Sequence, residues 1–288
     1  MKPTLALALA FGLAAASAGA QEKPNIVAAE NFYGDIARQI AGNDIDVTSI
    51  LNNPDDDPHL FEASPSVAAK IAAARIVIYN GVGYDAWMTK LLAANKAPDR
   101  KVIVVGDLLH KKPGVNPHLW YDPPTAAAAA KAIAAELAVA DKAHGGDYDQ
   151  RLQAFLDSLK PISAKVEEIR KIGAGVPVTA TEPVYGYMAA ALGFKMRNER
   201  FQLATMNDTE PAASDVAAFE NDLKHKRVKL FFYNSQATNA ASKRLLDLAR
   251  ANGIRVVGVT ETEPAGKSFQ NWMLDELNDV EKALAGGT

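Results

Sequence analysis

The chain has 288 residues, 48 % hydrophobic and 23 % charged, with a formal net charge of −3. Charges of both signs are mixed throughout, which excludes a basic stripe for nucleic acid and a polybasic patch for a membrane surface. No cysteine is present, which removes disulfides, thiolate metal ligands, cysteine nucleophiles and the acylated cysteine that anchors a lipoprotein.

The chain opens with Met1-Lys2-Pro3-Thr4, an apolar stretch from Leu5 to Ala16, and Ala18-Gly19-Ala20 before polar Gln21-Glu22-Lys23. A basic start, a short apolar run and a small-residue cleavage site read as a secretory signal peptide over residues 1–20. No segment is long and apolar enough to span a bilayer comfortably. Together with the missing cysteine, this predicts a freely soluble exported protein, periplasmic and not a lipoprotein.

The rest of the chain exceeds what one small core usually serves, so two lobes are expected. In chain order, Pro24 to Ala29 reads as a strand, Tyr33 to Ala41 as a helix, Ile45 to Leu51 as a strand and Val67 to Ala74 as a helix. Arg75 to Tyr79 and Lys101 to Val105 are apolar runs bounded by Asn-Gly and Gly-Asp. Runs of this kind separated by helices indicate a parallel sheet covered on both faces. The Ala-rich run from Thr125 to Ala140 is a strong helix former.

From Tyr148 to Ile172, the residues Leu152, Phe155, Leu159, Ile162, Val166 and Ile169 recur at three- and four-residue steps, predicting one long amphipathic helix bent near Pro161. Beyond it, strands are expected at Val176 to Ala180, Val228 to Tyr233 and Ile254 to Val259. Helices fit Tyr185 to Leu192, Ser214 to Lys224, Ala240 to Asn252 and Ser268 to Leu284. The predicted fold is α/β: an N-terminal lobe over 21–145, a linking helix over 146–173 and a C-terminal lobe over 174–288, each lobe a parallel sheet flanked by helices. Ligands of such folds lie outside the carboxyl ends of the strands, here in the cleft between lobes.

Two short segments carry the chemistry. Asn53-Pro54-Asp55-Asp56-Asp57-Pro58-His59-Leu60-Phe61-Glu62 and Asn116-Pro117-His118-Leu119-Trp120-Tyr121-Asp122-Pro123 each set one histidine in a loop braced by proline and aspartate. Either histidine alone reads as a ring on a solvent-facing turn. The repeated Pro-His-Leu-aromatic pattern points instead to metal ligation, because imidazole is the commonest side-chain donor to first-row divalent ions and a braced loop has little entropy left to lose. Glu182 and Glu261 each stand just past a predicted strand. A carboxylate there serves equally to favour the next helix dipole, but two of them facing two histidines make a ligand set.

These motifs resemble the zinc- and manganese-binding solute receptors of bacterial ABC importers, over essentially the whole mature chain. The resemblance implies His59 in His-Leu-Phe-Glu as the first ligand and His118 in Asn-Pro-His-Leu-Trp-Tyr-Asp-Pro as the second. It implies Glu182 before Pro183-Val184-Tyr185-Gly186-Tyr187 as the third, where zinc-type members usually carry His and manganese-type members Glu. The fourth is usually an Asp; here Glu261 stands at that place, with Glu263 two residues on and expected to point to the same side. The long His- and Asp-rich loop of many zinc-type members is reduced to Leu109-His110-Lys111-Lys112-Pro113.

Glu62 and Asp122, three or four residues after the histidines, are close enough to accept a ring N–H, or else serve in salt bridges or helix caps. Asp55, Asp56 and Asp57 form an acidic turn. His110, His144 and His225 read as surface residues, and Tyr185, Trp120, Phe232 and Trp272 as core or cleft wall.

Two neutral imidazoles and two carboxylates balance one divalent cation. The expected function is therefore capture of Mn²⁺ or Zn²⁺ by a monomeric receptor that delivers it to an inner-membrane ABC permease with its ATPase. No phosphate-binding Gly-rich Lys-Ser/Thr loop is present, and no nucleic acid is expected as a partner. The rival readings are a metal-dependent hydrolase, disfavoured by the lack of His-Glu-x-x-His and of a separate general base, and a metal-binding adhesin.

Overall fold

The computed structural model describes residues 24–53, 61–236 and 240–286. In the first lobe, β1 (Asn25–Glu30), β2 (Asp46–Leu51), β3 (Ile76–Tyr79) and β4 (Lys101–Val104) form a parallel sheet of order β2-β1-β3-β4. Its helices are α1 (Asn31–Ala41), α2 (Pro65–Ala73), α3 (Ala86–Ala94), the single turn α4 (Val105–Leu108) and α5 (Thr125–Ala140). Ser64 caps α2 by accepting the Val67 amide at 3.4 Å, and Pro65 takes the first helical position, where no donor is needed. The alanines of α5 let it lie close against α1, with Ala129, Ala130, Ile133 and Leu137 fully buried.

The link is two helices, α6 (Gly145–Ser158) and α7 (Lys160–Gly173), meeting at Leu159. The predicted bend near Pro161 is thus a break two residues earlier. Pro161 itself sits in the first turn of α7, where its missing N–H opens no intrahelical bond.

The second lobe repeats the topology. β5 (Pro177–Ala180), β6 (Lys195–Arg197), β7 (Leu230–Asn234) and β8 (Arg255–Val259) are all parallel in the order β6-β5-β7-β8. Helices α8 (Gly186–Ala191), α9 (Glu199–Met206), α10 (Ala213–Lys224), α11 (Ala240–Ala251) and α12 (Phe269–Ala285) complete it. Four elements were not expected from sequence: α3, α4, β6 and α9. Strand β6 is three residues long, with pattern Lys-Met-Arg, and such a strand at a sheet edge carries no readable alternation.

In each sheet the winding reverses between the first and third strands, and open α/β folds bind ligands beside that switch, outside the strand ends. Asn80 and the end of β1 occupy this place in the first lobe, Glu182 and Asn234 in the second. One apolar core runs through both lobes, from Ile26 to Val280. At the junction it is aromatic: Phe32, Trp120, Tyr121, Tyr185, Phe232 and Trp272 form a chain with successive ring centroids 4.7 to 6.0 Å apart. Trp120, Tyr185, Phe232 and Trp272 among them are the residues expected as core or cleft wall. Among the described residues no helix is long and apolar enough to cross a membrane.

Candidate metal centre

His118 ends a loop that Asn116 and Pro117 shape. Its ring is fully buried, edge-on to Trp120 and Tyr84 with centroids at 5.3 and 5.9 Å. The Asn116 Oδ1 accepts the His118 backbone N–H at 3.1 Å and faces ring Nδ1 at 2.6 Å. An acceptor there holds the proton on Nδ1 and leaves Nε2 with its lone pair. The same Asn116 donates through Nδ2 to the Pro183 carbonyl at 2.7 Å, in the other lobe and next to Glu182. Asn116→Ala is therefore expected to lower affinity for divalent metal about 10- to 100-fold. Competition titration against a chromophoric chelator measures this, and affinity within a factor of ~2 of wild type would remove Asn116 from this role.

Of the readings open to Asp122, ring acceptor or salt bridge or cap, the structure shows the salt bridge, with Lys111 at 2.8 Å, and Lys111 also lies 4.4 Å over the Tyr187 ring. The short basic loop thus ties elements together. Asp122 lies beyond the 3₁₀ turn Leu119–Tyr121, which carries it away from the imidazole, whereas Asn116 precedes the ring by two residues and closes an Asx-type turn. The signal for Asn116 was present in Asn-Pro-His and went unread. Glu62, read as a ring acceptor or else a salt-bridge or cap residue, is exposed, while His59 lies outside the described residues, as do Asp55, Asp56 and Asp57. His110, His144 and His225 are exposed; His144 pairs with Asp141 at 2.7 Å.

Glu182 follows β5 and is 5 % exposed; Glu261 follows β8 and is fully buried. Asn234, the last residue of β7, donates from one Nδ2 to both, at 3.0 Å to Glu182 Oε2 and 2.5 Å to Glu261 Oε1. Glu261 Oε2 accepts from Tyr84 Oη at 2.9 Å and lies 3.6 Å from His118 Nε2. Burial, then the negative charge of Glu261, pushes the Tyr84 phenol well up, so it remains a donor. Three of the four predicted residues therefore converge from both lobes. Among the described residues, however, no three His, Cys, Asp or Glu side chains stand at metal-holding spacing as they are, the Asn234 amide lying between the two carboxylates.

Glu263 goes elsewhere. Gln236 Oε1 accepts both the Glu261 and Thr262 amides, at 2.5 and 3.0 Å, bending the backbone so that strand alternation no longer applies. Asn31 at the start of α1 then clasps Glu263 from the first lobe, donating to its carbonyl at 2.7 Å and accepting its N–H at 3.0 Å. The Glu263 carboxyl is buried toward Asp35 and Arg38; burial first, then Asp35, lifts it to about 8. The expectation that Glu261 and Glu263 share one side is corrected: they diverge.

A second buried acid joins the lobes. Glu276 on α12 meets Tyr121 Oη and Trp272 Nε1, both at 2.9 Å, and Tyr121 Oη lies 2.8 Å from the Thr260 carbonyl. Burial raises the Glu276 carboxyl to about 8 against the opposing hydrogen bonds and Lys267; Tyr185 also faces it. The folded state thus holds a proton that the unfolded chain releases near ~4.3, and this stability is complete below that value and lost as pH rises through about 8. Glu276→Gln should match wild type in melting temperature near pH ~5 and exceed it above pH ~8. Parallel melting curves across pH would reject this role for Glu276.

Two similarly wound α/β lobes on a helical link, with histidine and carboxylates meeting in the cleft, define a two-lobed solute receptor with a cation-type site. Residues 26–283 match the family described as zinc-uptake complex component A, periplasmic. The chain belongs to that family. It is 25 % identical over 305 residues to the metal ABC transporter substrate-binding lipoprotein FimA of Streptococcus parasanguinis, covering 95 % of each. It is 24 % identical over 282 residues to the manganese ABC transporter substrate-binding lipoprotein PsaA of Streptococcus pneumoniae, covering 92 % of this chain and 90 % of PsaA. The fold is similar to that of the periplasmic zinc binding protein TroA of Treponema pallidum, with TM-score 0.78 at 20 % identity, covering 91 % of this chain and 99 % of TroA. The family is one of substrate-binding receptors, and this chain is a receptor rather than an enzyme.

These relatives correct one expectation. FimA and PsaA are lipoproteins by name, against the prediction of a free periplasmic protein that is not a lipoprotein. That prediction rested on the missing cysteine. The absence of one residue type describes this chain's own chemistry and not how members of the family are retained at a membrane.

Proposed function

We propose that the chain captures one divalent cation, Mn²⁺ or Zn²⁺, in the cleft and hands it to an ABC permease with its ATPase. The ligands in this reading are His59, His118, Glu182 and Glu261. The observation that carries it is the arrival of a buried His118 from one lobe and buried Glu182 and Glu261 from the other at one place, His118 Nε2 and Glu261 Oε2 being 3.6 Å apart. Two neutral imidazoles with two carboxylates would leave no net charge once M²⁺ is held, which makes burial of the ion affordable. The relatives' names support both ions, PsaA being a manganese ABC transporter protein and TroA a zinc binding protein.

In the same reading residues 1–20 are an export leader, 21–145 and 174–288 the lobes, and 146–173 the link. The receptor acts as a monomer, and a net charge of −3 without a basic stripe gives nucleic acid no purchase. The test is metal-free protein titrated with Mn²⁺ and Zn²⁺ while melting is followed. An ion that binds only the folded state adds about 4 kcal/mol at roughly a thousand times its Kd. No upward shift with either ion would reject the reading.

A further inference from the structure

We infer that Glu30 and Asp85 share one buried proton, and that this acid pair holds the loop 80–85 in the position from which it steadies the His118 loop. The bearing on metal rests on His118 being a ligand. Glu30 ends β1 beside the winding switch of the first sheet and is fully buried, and Asp85, just before α3, is 1 % exposed. Asp85 commits both oxygens to the loop: Oδ2 accepts the Asn80 N–H at 2.5 Å and Oδ1 the Gly81 N–H at 2.9 Å. Among the described residues no donor stands in hydrogen-bond geometry at either Glu30 oxygen, and the side chain within reach of them is Asp85, itself an acceptor. Two buried carboxyls meet in this way only when one carries a proton and donates it to the other. Glu30 is the holder. Burial, then the Asp85 charge, pushes it well up, whereas in Asp85 the bond from Glu30 and the two amides oppose the lift that burial gives. The other titratable groups that face the pair are Tyr33 of α1, Tyr79 of β3 and Tyr84 of the loop, phenols raised by burial that bring no positive charge.

The loop needs such a clamp. Gly81, Val82 and Gly83 stand in succession at φ +76°, +58° and +91°, and a β-branched residue in that region is strained. From one end of the loop Asn80 donates through Nδ2 to the Pro117 carbonyl at 2.8 Å, directly before His118, while its Oδ1 accepts from Tyr33 Oη at 2.7 Å. From the other end Tyr84 crosses to Glu261 in the second lobe at 2.9 Å. Glu30 and Asp85 are thus positioning residues that act through Asn80 and Tyr84. Because the folded chain holds the Glu30 proton well above the ~4.3 at which an unfolded glutamate releases it, the clamp is complete below ~4.3 and lost as pH rises through the raised folded value.

The experiment joins infrared difference spectra of the metal-free full chain, wild type minus Glu30→Gln, to melting curves of both from pH ~6 to ~9 and to competition titration of Asp85→Asn and His118→Ala with Zn²⁺ at pH ~7. The spectra at pH ~7 should carry the carbonyl band of a protonated carboxyl, and the variant should gain on wild type in melting temperature as pH rises, since Gln keeps a donor that cannot ionise. Asp85→Asn should lose about 10- to 100-fold in Zn²⁺ affinity, because an amide accepts through one oxygen and turns its own N–H against the other backbone donor. Absence of the band, or a melting difference that stays flat with pH, overturns the shared proton. Affinity in Asp85→Asn within a factor of ~3 of wild type, with His118→Ala impaired, overturns the positioning role and leaves the ligand reading standing. Undiminished affinity in His118→Ala overturns the ligand reading, and with it the bearing on metal, whatever the band shows. Should Asp85→Asn fail to fold, Asn80→Ala, which cuts the bond to Pro117 and spares both acids, is held to the same loss.

Discussion

His118→Ala should lower the affinity for Zn²⁺ and for Mn²⁺ by more than about a hundredfold while leaving the fold intact. Loss of a partner that merely orients a ligand costs about 10- to 100-fold, and loss of a ligand exceeds that. The ring is fully buried with its Nδ1 side engaged by Asn116, which fixes Nε2 toward Glu261. Without it Glu261 keeps the Tyr84 and Asn234 bonds but loses its contact with the His118 imidazole at 3.6 Å. The fold survives because the histidine stands on a loop past the strand ends, with Leu119, Trp120 and Tyr121 anchoring that loop in the core. Calorimetric titration beside circular dichroism checks both parts. Near-wild-type affinity would take His118 out of the site, and a collapsed spectrum would make its role structural.

Trp272→Ala should lower stability by about 3–5 kcal/mol and the melting temperature by about 10 °C. Trp272 lies on α12 and is 1 % exposed, within ring contact of Phe32 and Tyr121 of the first lobe, with centroids 6.0 and 5.6 Å away. Its removal opens a cavity at the lobe junction and strips Glu276 of the indole N–H bonded at 2.9 Å. Metal affinity should change far less than in His118→Ala, since Trp272 reaches the site only through the wall. A loss under ~1 kcal/mol in denaturant unfolding would mean that the aromatic chain is not what holds the lobes together.

Much of this molecule was legible locally. Apolar runs such as Ile76–Tyr79, bounded by turns and separated by periodic helices, announce buried parallel strands because the pattern reports burial on both faces. Four elements escaped because their signals were weak: α3 and α9 lack a clean apolar stripe, α4 is a single turn, and β6 is three residues at an edge. At the site, the proline-braced histidine motif and the carboxylates at strand ends were readable as donors in suitable places.

What could not be read is which donors meet and what steers them. Glu263 looked equivalent to Glu261 until the Gln236 side chain, 25 residues away, turned the backbone between them. Asn234 lies 52 and 27 residues from the acids it joins, and nothing in its neighbourhood in the chain announces that role. For Asp122 the sequence left ring acceptor and salt bridge both open, and the 3₁₀ turn that carries it to Lys111 decides for the salt bridge. Local pattern thus set the fold class and the kinds of ligand, since periodicity and turn chemistry act over a few residues. Sheet order and lobe packing chose among the candidates, because hydrogen bonds between distant residues exist only after strands such as β5, β7 and β8 lie side by side.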